Sequence, residues 1–328
     1  RGLALAQAGV AVVTNISSDH FGEYGIHDLD ALADVKLTVA GLVLRRGALV
    51  VNADDPWLRA GVARLQPRFG RTPALAWFAA AADAPLLCEH RARGGATCGP
   101  RAGRLLLHVN GADHDLGAIA ALPLALGGAA GFNVANLAAA GLAAAVLGVA
   151  PGAIARALAG FGRDAAANPG RLIRFDVNGT QVLLDYAHNP ASLGGLLELA
   201  QRLRGSGRVG LLLGHAGNRA DEDLRQVAAT AASFRPDLVV VKEIDDYRRG
   251  RAPGEVPGIL REALLRAGLP AESIELRMSD LDAARCALDW ARPGDLVVLL
   301  VHSPAARAAV LALLEPAGDP AAGPPAGR

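Results

Sequence analysis

Short, nearly continuous apolar runs alternate along this chain with longer stretches whose apolar positions recur every third or fourth residue. Runs of the first kind mark strands buried on both faces, and stretches of the second kind mark amphipathic helices. In the first half the pattern predicts a strand at 10–16, a helix at 28–45 and a strand at 48–52 that ends in "NADDP". A helix at 56–66 and a strand at 74–79 follow. The segment "GATCGPRAGRLLLHVNGADHDLG" carries short alternating runs with turn residues between them, the mark of a small hairpin region. "AALPLALGGAAGFNVANLAAAGLAAAVLG" then opens a long Ala/Leu helix, and a second helix starts at Pro151, where proline is tolerated.

"GRDAAANPGR", residues 162 to 171, reads as a linker of small residues closed by Pro-Gly. Beyond it, "IRFDVNGTQVLLDYAHNP" predicts a hairpin turning at Asn178-Gly179. The remainder alternates regularly: helix 191–204, strand 207–213, helix 221–233, strand 237–242, helix 255–267, strand 273–277, helix 280–292, strand 295–301 and helix 304–315. Strands alternating with helices of this length predict βαβ units on a mostly parallel sheet, an α/β fold. The tail "PAGDPAAGPPAGR" is expected to be disordered.

Composition narrows the function classes. The 328 residues suffice for two domains, and 52% hydrophobic content supports real cores. A net charge of +1 with interspersed signs gives no footprint for nucleic acid, and no stretch suits a membrane. Three cysteines, Cys88, Cys98 and Cys286, make neither a disulfide framework nor a zinc pattern, so the expected setting is cytoplasmic. The chain opens "RGLALAQAG" without a Met and is expected to be a fragment that starts inside a domain. Among 33 basic residues only Lys36 and Lys242 are lysines. A lysine kept in so Arg-rich a chain is a candidate for a role that guanidinium cannot fill, the alternative being chance.

Four polar clusters sit at predicted strand ends or on the helices that follow. "VVTNISSDHFGEYG" breaks from an apolar run into Thr14, Asn15, Ser17, Ser18, Asp19 and His20. Taken alone, it is as well explained by a solvated, capped turn as by a ligand site. "LADVKLTVA" carries Lys36, "VLLDYAHNP" carries Asp185, His188 and Asn189, and "LLLGHAGNRADEDL" carries Asn218, Arg219 and Asp221 behind two glycines. Glycines between a strand and a helix let backbone N–H groups approach an anion.

In combination, "TNISSDHFGEYGI", "LADVKLTVA", "LVVNADDP", "GGAAGFNVANLAAA", "NPGRLIRF", "LLDYAHNPASL" and "GHAGNRADEDL" occur in the order seen in Mur ligases. The chain resembles that family, and within it the Mur-ligase-like half of cyanophycin synthetases, whose "RRGL", "KE…RGR…GE" and "DYAHNP" segments are echoed here. The resemblance implies a partial P-loop-type central ATPase domain over 1–163, a doubly wound Rossmann-like C-terminal domain over 164–316, and a tail over 317–328. It implies an ATP-dependent amide ligase that uses Mg²⁺ and passes through an acyl phosphate. The substrates it implies are amino acids or peptides, such as arginine and an aspartate-containing polymer; a homo-oligomer is compatible with it.

Carried over residue by residue, His20, beside Asp19, matches the family's metal-contacting His, and Lys36 matches the lysine carbamylated in many members. Carbamylation would turn a cation into an oxygen donor for a metal. Without the resemblance, Lys36 reads as a surface lysine on a helix. Asn136 matches the adenine-contacting Asn, though a capping Asn would look alike. Arg171 and Asp185 match the hinge Arg and the Asp that contact nucleotide phosphate and ribose. His188 and Asn189 would line the cleft, and Asn218, Arg219 and Asp221 would face the incoming substrate. The family more often shows Gly-Asp-Arg where this chain has Gly217-Asn218-Arg219. His90, His108 and His302 lack partners at recognisable spacing and read as structural or surface histidines.

One family motif is absent: no G-x-x-x-x-G-K-[ST] occurs in the 328 residues. In the family that phosphate-cradling loop precedes "TNISSDH", so it is expected before Arg1, and this chain alone is expected not to turn over ATP. Two alternatives remain at this point: a peptidoglycan-precursor or folylpolyglutamate type of Mur ligase, or a non-catalytic nucleotide-binding protein without a P-loop.

Overall fold

In a computed structural model, which describes residues 5–17, 25–163, 168, 171–244 and 247–314, the chain divides into two units, 1–167 and 168–328. The apolar runs of the first unit build one six-stranded sheet in chain order: β1 (Ala8–Val13), β2 (Val43–Asn52), β3 (Ala74–Phe78), β4 (Ala96–Arg101), β5 (Arg104–Val109) and β6 (Ala112–Ala118). β1 to β4 pair in parallel, and β4, β5 and β6 form an antiparallel meander. Its two tight turns, Ala102-Gly103 and Asn110-Gly111, have positive φ at both positions, the backbone that matches the strand twist.

Alternation along β2 sends Leu49 and Val51 to one face and Val50 to the other. The first face packs against α1 (Leu29–Lys36), α2 (Pro56–Ala63), α3 (Leu65–Phe69) and α4 (Pro85–Ala92). The second packs against α5 (Gly131–Val146) and α6 (Pro151–Gly160) through Leu137, Leu142, Ile154 and Leu158.

The helix expected over 28–45 is shorter. It ends at Lys36, continues as a 3₁₀ turn over Leu37–Leu42, and β2 already begins at Val43. Thr38, Val39 and Gly41 are poor helix formers, and pairing with β1 captures the apolar residues beyond them. Helix α4 is short and begins with a proline, and its pattern gave no signal in the sequence.

The second unit holds β7 (Ile173–Val177), β8 (Thr180–Asp185), α7 (Pro190–Leu203), β9 (Val209–Leu213), α8 (Asp221–Ser233) and β10 (Leu238–Lys242). It continues with α9 (Glu255–Arg266), β11 (Ile274–Arg277), α10 (Asp280–Trp290), β12 (Leu296–Leu300) and α11 (Pro304–Leu314). The sheet order is β11-β10-β9-β12-β8-β7, parallel except for β7, which forms the expected hairpin with β8. Strands β8, β9, β10 and β11 step in one direction across the sheet, so right-handed crossovers put α7, α8 and α9 on one face. The chain then reverses and inserts β12 between β9 and β8, which sends α10 and α11 to the other face. This is the expected doubly wound α/β arrangement, with a switch point at the carboxyl ends of β8, β9 and β12. The tail expectation falls on residues beyond 314, outside the described residues.

Candidate functional site

The switch point is where the C-terminal unit gathers its polar groups. Strand β8 delivers Asp185, whose two carboxylate oxygens accept from the backbone N–H groups of Leu172 at 2.8 Å and Ala187 at 2.7 Å. Burial pushes its carboxyl above the usual range, opposed by those N–H groups and by the Arg171 guanidinium. The next residue, Tyr186, is the hub of the site. Arg171 lies over its ring at 4.9 Å and Arg307 at 5.7 Å, while the rings of His188 and His302 meet it edge-on at 5.5 and 5.1 Å. Asn189 caps α7 by accepting from the Ser192 N–H at 2.9 Å in a capping box.

Two buried histidines tie the neighbouring loops to this one. His215, after β9, bonds through Nε2 to the His188 carbonyl at 2.7 Å, and His302, after β12, bonds through Nε2 to the Ala187 carbonyl at 3.1 Å. Burial holds both imidazoles below their ordinary pKa, His302 well below it, with the Lys242 charge as its next cause. His215 was not singled out by sequence. His302 read as isolated because its partner stands 115 residues away.

Behind the loops, Lys242 at the end of β10 is fully buried in an ion pair with Asp280, the first residue of α10. Its stem runs beneath Gly214, where a Cβ would stand 2.8 Å from the Lys242 Cγ. The lysine kept in an Arg-rich chain thus occupies a slot that also requires a glycine above it.

The loop expected to face substrate is held from below by Arg251. Its guanidinium donates to the carbonyls of Gly217 at 2.9 Å and Arg219 at 2.7 Å, and it pairs with Asp221 at 2.7 Å and Glu255 at 2.9 Å. Asp221 is therefore committed to an ion pair, Arg219 is half-buried, and Asn218 is exposed. Replacing Arg251 with Met is expected to speed amide hydrogen exchange of residues 217–221 by roughly tenfold or more, because two loop carbonyls lose their charged donor. Unchanged exchange there would remove Arg251 from that role.

In the N-terminal unit, Asp19 and His20 lie outside the described residues. Lys36 is exposed at the last turn of α1. Asn136 is exposed on α5, one turn after Phe132, which is itself 38% exposed. The two share a helix face that offers an apolar ring beside an amide. His90 and His108 have local partners, the Leu75 carbonyl at 3.0 Å and Asp113 at 2.7 Å. Among the described residues no group of three His, Cys, Asp or Glu is placed to hold a metal. An unmodified Lys36 donates hydrogen bonds and cannot ligate a cation.

The chain belongs to the Mur ligase family: residues 1–144 match the Mur ligase middle domain and residues 170–300 match the Mur ligase, glutamate ligase domain. It is 32% identical over 302 residues to a cyanophycin synthetase from Trichormus variabilis, covering 92% of this chain and 32% of that protein. It is 31% identical over 298 residues to the UDP-N-acetylmuramoyl-L-alanyl-D-glutamate–2,6-diaminopimelate ligase of Corynebacterium efficiens, covering 88% of this chain and 51% of that one. A Yersinia pestis folylpolyglutamate synthase/dihydrofolate synthase, solved with AMPPNP and a Mn ion, has a similar fold, with TM-score 0.64 at 20% identity over 94% of this chain and 62% of that one. The chain spans about a third of the length of the cyanophycin synthetases it matches. No helix among the described residues is long and apolar enough to cross a membrane.

Proposed function

We propose that this chain is the Mur-type part of an ATP-dependent carboxylate–amine ligase of the cyanophycin synthetase kind, which adds arginine to the β-carboxylate of aspartate in an Asp–Arg polymer. The observation that carries the reading is the agreement with cyanophycin synthetase over 302 residues, which runs through both domains. In this reaction the carboxylate oxygen attacks the γ-phosphorus of ATP and ADP leaves. The amine nitrogen then attacks the acyl carbon, phosphate leaves, and the nitrogen gives up a proton. Mg²⁺, when bound, neutralises the phosphates, and the residues proposed for it are His20 and carbamylated Lys36. Asn136 with Phe132 would take adenine, and Arg171 with Asp185 the phosphate and ribose. Asn218 and Arg219 would meet the incoming amine substrate, with Asp221 holding their loop. The three unpaired cysteines support a cytoplasmic setting.

The reading has a second form, supported by the 31% identity to the diaminopimelate ligase: a peptidoglycan-precursor enzyme with the same chemistry and another amine. Full-length gene product should form ADP and incorporate labelled arginine into an Asp–Arg primer, whereas arginine-independent ADP formation with a UDP-linked peptide would favour the second form. The 328-residue chain by itself, which has no P-loop sequence, is expected to release no phosphate from ATP. ATP- and Mg²⁺-dependent phosphate release from it would overturn that expectation.

A further inference from the structure

Asn133 and Asn136 stand one turn apart on α5, and the fold treats them unequally. Asn136 is exposed, whereas Asn133 is buried and has a fixed partner. Asn133 Nδ2 donates to the Leu124 carbonyl at 3.0 Å, nine residues upstream in the 3₁₀ turn Pro123–Gly128. Leu126, Gly127 and Gly128 in that turn all have positive φ, a conformation that a leucine seldom adopts. The turn brings the chain back to the start of α5 with the Leu124 carbonyl beside the Asn133 amide.

That contact orients two amides in series. A backbone carbonyl can only accept, so the end of Asn133 that faces it must be the NH₂ group. The opposite end, Oδ1, is turned away from Leu124, and Asn136 Nδ2 lies 3.5 Å from it. This oxygen can only accept as well, so Asn136 gives its NH₂ group to Asn133. One Nδ2–H of Asn136 is left over, and its Oδ1 is the end turned away from Asn133. The exposed amide thus presents an acceptor and a donor in a set order, on the helix face that also carries the Phe132 ring. Adenine complements that order with an amino donor beside the N7 acceptor, whereas guanine shows two acceptors, O6 and N7.

We propose that Asn133 is a positioning residue: it holds the Asn136 amide with Oδ1 ready to accept from the amino group of adenine, and so sets the choice of adenine over guanine nucleotides. The inference rests on the reading of Asn136 as the base contact. An Asn136 free to turn over could instead offer its NH₂ group to guanine O6, and the choice would be lost.

The test is titration calorimetry of the full-length gene product with AMPPNP and with GMPPNP, each with Mg²⁺. The parent should bind AMPPNP roughly tenfold or more tighter, as one bidentate amide–adenine contact provides. Asn133→Leu should bring the two within about threefold, chiefly through tighter GMPPNP binding, because nothing then fixes the Asn136 amide. Asn133→Asp keeps an oxygen facing Asn136 Nδ2, in a helix first turn that suits a carboxylate. It should keep the adenine preference even though loss of the donor to Leu124 lowers the Tm. A residue that merely supports the fold would weaken both nucleotides alike, and the Asp variant would then do no better than the Leu variant. Circular dichroism checks each fold, and Asn133→Ala decides in place of Asn133→Leu if the latter does not fold. A preference lost in Asn136→Ala but kept in Asn133→Leu would overturn the proposal and leave the base contact standing. A preference kept in Asn136→Ala would remove the base contact, and the proposal with it, as would a parent that binds both nucleotides equally or neither.

Discussion

Asp280→Ala should destabilise the C-terminal unit by about 3–5 kcal/mol at neutral pH, the range for removing one partner of a buried ion pair. The reason lies in what remains. Lys242 is fully buried, and burial already lowers its pKa while Asp280 raises it. Without Asp280 the ammonium must stay charged in an apolar site, lose its proton, or drag water beneath β9 and β10. The slot offers little slack for escape, because Gly214 closes over the Lys242 stem so tightly that no Cβ fits there. The double variant Lys242→Met/Asp280→Ala should recover most of the loss, since no charge is left unpaired and Met fills a similar volume. Denaturant unfolding followed by the fluorescence of Trp290, with Trp57 and Trp77 replaced by Phe, would report this unit alone. A loss under about 1 kcal/mol for Asp280→Ala, the size seen for exposed pairs, would show that water reaches the pair.

That ion pair also marks the boundary of what sequence could disclose. The sheet of the C-terminal unit was legible because its strands are buried on both faces and read as unbroken apolar runs, such as "VGLLL" and "LVVVK", between helices of ordinary length. The hairpin of β7 and β8 was legible because Asn178-Gly179 meets the positive-φ demand of its turn. The helix expected over 28–45 overran because a strand pairing with β1, a long-range event, overrode local preference past Lys36.

The site divides along the same line. Asp185, His188 and Asn189 were visible as a polar burst at a strand end, whereas the groups that organise them were not. His302 finds its partner 115 residues away, Lys242 finds Asp280 38 residues away, and Arg251 reaches back over 30 residues to the 217–221 loop. Such contacts are set by strand order, and no local spacing encodes them. What local chemistry could flag was rarity: one of two lysines in a chain otherwise reliant on arginine proved to be the buried one.

Acidification from pH 6.5 towards 5 should weaken the C-terminal unit steeply, before its carboxylates titrate. His215 and His302 are both held below the ordinary imidazole value of 6.5, chiefly by burial. As pH falls through 6.5 the unfolded chain takes up their protons while the folded chain refuses them. The unfolded state then binds more protons, and the free energy of unfolding falls with pH. For His302 alone the slope approaches about 1.4 kcal/mol per pH unit, and His215 adds to it until its own folded-state pKa is passed. Asp185 acts in the opposite sense, because its raised pKa lets the folded state bind a proton before the unfolded chain does. Among the described residues of the N-terminal unit, the half-buried His90 is held below its ordinary value, chiefly by burial, and it lies less deep than His302, so that unit's decline should be shallower. Urea titrations at intervals from pH 7.5 to 5 measure the difference. His302→Asn, which cannot be protonated in this range, should flatten the profile of the C-terminal unit, and a parent profile already flat between 6.5 and 5 would mean that the folded chain admits the protons after all.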